Sequence, residues 1–81
     1  MAPNTEQVVA VLRSAGLQAA IQTKRVTRPG FAVRQFSRTE IGVSSCAMSP
    51  AEWLTAMGAL EGAGYVFTYR CDAGMGARVT R

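Results

Sequence analysis

"FAVRQFSRTEIGVSS", residues 31–45, decides how the chain folds. Phe31 and Val33 alternate with Ala32 and Arg34, the period-two pattern of a half-buried strand. Ile41 and Val43 repeat that pattern after a polar break at Ser37–Glu40, so the stretch reads as a hairpin with these four apolar residues on one face. Phe36 breaks the alternation. It falls on the opposite parity, between Arg34 and Arg38. A bulge at Gln35 that rotates the ring into the core is the first reading. A protein–protein contact is the second, and a surface platform for stacking bases is the third.

A second hairpin follows the same logic. "YVFTYRC" (65–71) alternates Tyr65, Phe67, Tyr69 and Cys71 against Val66, Thr68 and Arg70. "MGARVT" (75–80) sets Met75, Ala77 and Val79 against Gly76, Arg78 and Thr80, with a turn near Asp72–Gly74. Between the hairpins lies "SPAEWLTAMGALEGAG" (49–64), the clearest helix in the chain. Ser49 caps it, Pro50 suits the first helical position, and Glu52 completes a capping box. Trp53, Met57 and Leu60 form its apolar stripe, flanked by Leu54 and Ala56. Gly58 and Gly62 share a face, which predicts close packing of another backbone there.

Upstream, "NTEQVVAVLRSAG" (4–16) reads as a first helix, with Asn4 as N-cap and Gln7 three residues later. Val8, Val11, Leu12 and Ala15 line one face, and Gly16 is the stop. "LQAAIQTK" (17–24) reads as a modest strand, and "TRPG" (27–30) as a turn. The expected order is therefore α-β-β-β-α-β-β in a single domain spanning residues 1–81. Two amphipathic helices and short hairpins predict an α+β two-layer sandwich: an antiparallel sheet of four or five strands with both helices on one face.

An internal echo accompanies this order. "VLRSAGL" (11–17) and "ALEGAGY" (59–65) both end a helix in Ala-Gly before an apolar residue, and "GFAVR" (30–34) opens the first hairpin. With these elements the chain resembles small uncharacterised proteins of actinobacteria and their phages. That resemblance covers most of the chain and implies no activity.

Composition narrows the chemistry. An 81-residue chain buries only about 60% of its extended surface, so self-association into a homodimer would add useful burial. There is no histidine, the commonest general base and metal ligand. Cys46 and Cys71 alone fall short of a four-ligand zinc site. Cys46 precedes a helix N-terminus, but no base lies near it in sequence, so both thiols read as structural and reduced. "GMGAR" (74–78) precedes a strand rather than a helix, which defeats the phosphate-cradle reading. No cofactor and no enzymatic activity are expected. "MAPNTEQ" has neither the basic start nor the apolar run of a leader, and no segment is long enough to span a bilayer, so a cytoplasmic protein without membrane contact is expected.

Charge points to a partner. Residues 1–40 hold six of the nine basic residues and only two acids, so the net +4 belongs to the first half. Arginine outnumbers lysine eight to one, a bias that a high-GC genome would also produce. If two helices cover one face of the sheet, Arg34, Phe36, Arg38, Arg70 and Arg78 gather on the other, with Ser44, Thr68 and Thr80. Lys24, Arg25 and Arg28 in "TKRVTR" extend the positive track if that loop lies on the same side. Arginines around an aromatic ring suit single-stranded nucleic acid. The alternative is a protein-interaction module, such as a phage-type modulator of a host protein with an acidic surface.

Overall fold

The computed structural model describes residues 4–81. Met1–Pro3, the start of the stretch read above for a leader, lie outside the described residues. The elements run α1 (Thr5–Ser14), β1 (Ile21–Gln22), β2 (Thr27–Arg28), β3 (Gly30–Gln35), β4 (Ile41–Cys46), α2 (Pro50–Gly62), β5 (Val66–Cys71) and β6 (Gly76–Thr80). Strands β3-β4-β6-β5, in that order, form an antiparallel four-stranded sheet, and β1-β2 form a separate small hairpin. The fold is α+β.

The helices form where the caps require. Asn4 Oδ1 accepts the Gln7 amide at 2.8 Å and starts α1. Ser49 and Glu52 make the reciprocal capping box of α2, with Pro50 at its first turn. Gly16 and Gly64 follow the two helices at φ +86° and +90°, a left-handed conformation that glycine adopts without a Cβ clash.

The core draws on one face of the sheet. Phe31, Ile41, Val43, Ala77 and Val79 share that face and pack in one cluster with Val8 and Leu12 of α1 and Trp53, Ala56, Met57 and Leu60 of α2. Trp53 is 1% exposed. Burying each large side chain of this kind contributes roughly 1.5–3 kcal/mol. Met48, in the link before α2, and Tyr65, just before β5, complete the cluster.

Three expectations are corrected. The order contains one more strand than α-β-β-β-α-β-β, because residues 21–28 fold back on themselves. The Thr23 hydroxyl accepts the amides of Arg25 and Val26, which tightens the turn and pairs Ile21 with Arg28 and Gln22 with Thr27. Thr27–Arg28 is thus strand rather than turn, and of the upstream residues only Ala19 bridges to β3, parallel to Phe31. Gly30 permits that approach, since a Cβ there would lie 2.2 Å from the Gln18 carbonyl oxygen. Secondly, Gly58 and Gly62 meet no backbone, for a Cβ at either would have nothing within 4 Å. Thirdly, β3 and β4 pair without interruption from Gly30↔Cys46 to Gln35↔Ile41, so there is no bulge at Gln35.

Ala47 sits at φ 56° between β4 and α2, a conformation costing a non-glycine residue roughly 1–2 kcal/mol. Ala47→Gly should relieve that strain and give back part of the gain to the freer unfolded chain. The expected outcome is a net stabilisation of about 0.5–1 kcal/mol, read as a rise of a few degrees in the thermal midpoint. Unchanged or lowered stability would contradict the strain.

Candidate nucleic-acid interface

With no bulge at Gln35, strand parity carries Phe36 to the face that the helices leave uncovered. Its ring is 45% exposed. The core reading of Phe36 is therefore overturned, and the side chain belongs to the open face. Arg34, Gly42, Arg78 and Tyr69 form one cross-strand row on that face, paired in turn through β3, β4, β6 and β5. Ala32, Ser44, Gly76 and Cys71 form the next.

Arg78 is the centre of the arrangement. Its guanidinium carbon stands 4.4 Å from the Phe36 ring centroid and 4.8 Å from that of Tyr69. A planar cation is thus stacked on two partly exposed rings, a favourable contact of about 0.5–1 kcal/mol at each exposed site. Arg34 and Arg38 have no hydrogen-bond or ion-pair partner among the described residues, and both are exposed, Arg38 in the turn between β3 and β4. Glu40, at the end of that turn, accepts hydrogen bonds from the hydroxyls of Ser37 and Thr68. Together the two rows outline an open depression of about 530 Å³, with Phe36, Arg34, Arg78 and Tyr69 around small residues.

Tyr69 is an addition to the expected set. In uninterrupted alternation it would share the core face with Tyr65 and Phe67. The register between β5 and β6 shifts instead, from Phe67↔Val79 to Tyr69↔Arg78, leaving Thr68 as an extra residue. The bulge turns Tyr69 outward, 45% exposed. Its phenol is pushed above the ordinary tyrosine range, chiefly by a hydrogen bond with the Cys71 side chain. It is therefore neutral at physiological pH.

The same slip removes Arg70 from the open face, correcting its place among the interface residues. Arg70 pairs with Ala77, a core-facing residue, and its guanidinium grips Asp72 through Nε at 2.8 Å and a terminal nitrogen at 3.1 Å. Asp72 also accepts the Trp53 indole N–H at 3.0 Å. Arg70 thus serves a brace between α2 and the β5–β6 turn. The 24–28 segment divides similarly. Lys24 and Arg25 are exposed at the β1–β2 turn, whereas Arg28 donates from two nitrogens to the Ala19 carbonyl, at 2.7 and 3.1 Å. The Arg28 guanidinium is thus engaged within the chain.

Among the described residues no helix is long and apolar enough to cross a membrane, and no group of three or more potential metal ligands comes together. Cys46 and Cys71 are unpaired and half-buried. Comparison with protein-family models, curated proteins and solved structures finds no match to this chain.

The brace is pH-sensitive. Hydrogen bonds from Arg70 and then Trp53 hold the Asp72 carboxyl below its ordinary value. A depressed carboxylate adds stability above its unfolded-state pKa and loses it as pH falls through the folded-state value. Glu52, lowered by its cap hydrogen bonds to Ser49, acts in the same direction. Stability should therefore fall below about pH 4, and Asp72→Asn should flatten that fall without abolishing it. Thermal midpoints from pH 7 to 3 test this; equal pH profiles for the two proteins would contradict the brace.

Proposed function

We propose that the open face of the sheet binds single-stranded nucleic acid, with Arg34, Arg38 and Arg78 meeting phosphates while Phe36 and Tyr69 stack bases. The reading is of a non-enzymatic binding module. One observation carries it: the Arg78 guanidinium lies over two partly exposed rings on the face that the helices leave uncovered, beside two arginines without a partner among the described residues. Unpaired bases offer free π-faces to such rings, whereas a duplex keeps its bases stacked on one another. Arginine supplies charge and stacking in one group. Lys24 and Arg25 add positive charge at the β1–β2 turn.

Titration with single- and double-stranded oligonucleotides across a salt series tests the reading. Arg34→Ala and Arg38→Ala should weaken binding of all sequences and flatten the log-affinity against log-salt slope by about 0.7 for each phosphate left without its cation. Phe36→Ala and Tyr69→Ala should lower single-strand affinity by about 1–3 kcal/mol per base unstacked and leave the slope unchanged. Both rings are partly exposed, so these variants keep the core. Arg70→Ala, on the helix side, should leave the slope unaltered. If the protein binds no oligonucleotide at low salt, the proposal is wrong and a protein with an acidic surface takes its place.

A further inference from the structure

Each of the two central strands carries a glycine on the open face, Gly42 within β4 and Gly76 at the start of β6 beside the β5–β6 turn. Gly42 and Gly76 have no positive φ. The register slip of β5–β6 lies between Phe67 and Tyr69, away from both. A Cβ at Gly76 would have nothing within 4 Å, and one at Gly42 would make only ordinary contacts, the nearest 3.6 Å away on Arg34. Glycine inside a strand, as at Gly42, weakens the strand, and glycine recurs where a ligand comes close to the backbone. The walls around this floor are not small: two rings and two guanidiniums rise beside it.

Resting on the nucleic-acid reading above, we propose that the depression is a discrete one-nucleotide pocket within the larger face. One base of a single strand sits over Gly76 and Ser44, beside the Arg78 guanidinium that fills the space between Phe36 and Tyr69, and its phosphate lies on Arg78. The depression, about 530 Å³, falls within the ~300–1,000 Å³ of small-ligand sites. Charge complementarity selects the occupant, for the flanking side chains include arginines and no carboxylate. Clamping between two rings holds the Arg78 guanidinium in place before the ligand arrives, so binding costs little further side-chain freedom. Of the floor side chains only Ser44 carries a hydroxyl; the neighbouring backbone amides are engaged in the strand ladder. With one hydroxyl on the floor and the flanking guanidiniums directed to rings and phosphates, the pocket accepts any base and reads shape more than identity.

Gly76→Val fills the floor while leaving every arginine and ring in place, and the open space at that position admits the side chain. Binding of a short single-stranded oligonucleotide, for example a hexathymidylate, should fall at least tenfold in this variant, with the salt slope unchanged. The same oligonucleotide with all bases removed should bind both proteins equally weakly. In the wild-type protein, the amide NMR signals of Gly42, Ser44 and Gly76 should shift on titration, a measurement independent of whether the variant folds. A folded Gly76→Val that binds as tightly as the wild type overturns the pocket. So does a titration that moves only signals near Lys24, Arg25 and Arg38. Either result, found together with the expected Arg34→Ala salt effect, leaves the broader nucleic-acid reading standing. A wild type that binds no oligonucleotide at low salt removes both.

Discussion

Two helices of ten and thirteen residues can cover only one side of a four-stranded sheet. Everything else in this molecule is a consequence of that shortage. Apolar residues must concentrate on the covered side, where Trp53 and Phe31 anchor the cluster. The uncovered side must remain compatible with water while its backbone stays paired within the ladder. It does so with arginine, serine, glycine and two rings, one of which is shielded on one side by a guanidinium only because β5 slips by one residue at Thr68. The bulge also decides the brace. Without it Arg70 would face outward, and Asp72 would lose its bidentate partner.

This dependence explains what can be read from the sequence. The α+β class, both helix caps, both hairpin turns and the core-facing set of β3, β4 and β6 follow from local patterns that tertiary contacts reinforce. Ser49, Pro50 and Glu52 act within one turn, so their meaning does not depend on distant residues. Thr68 is different. Nothing in "YVFTYRC" marks a bulge, since the stretch alternates without interruption and its extra residue is visible only against the partner strand. Arg70 and Tyr69 consequently exchange faces, and the candidate site gains a ring as it gives up a cation. The split of "TKRVTR" is hidden for a related reason. Arg28 is bound to a carbonyl nine residues upstream, a contact set by how closely Gly30 lets the chain approach. Phe36 is the converse case: its parity points outward, and the core reading requires an irregularity that the hairpin does not have.

The arginine content admits two explanations, genome composition and chemistry, and the geometry separates them residue by residue. Arg28 places two nitrogens on one carbonyl, Arg70 grips both oxygens of Asp72, and Arg78 sets its guanidinium carbon over two rings. A lysine has no planar group and no fork, so none of these three contacts survives that replacement intact. Arg34 and Arg38 make no such contact among the described residues, and as point charges there lysine would serve the fold equally well. The distinction matters for the open face. Its central cation is already committed to an orientation by the protein, and its outer cations are held only by their own stems. The open face thus sets one guanidinium, held over two rings, beside two others that have no partner among the described residues.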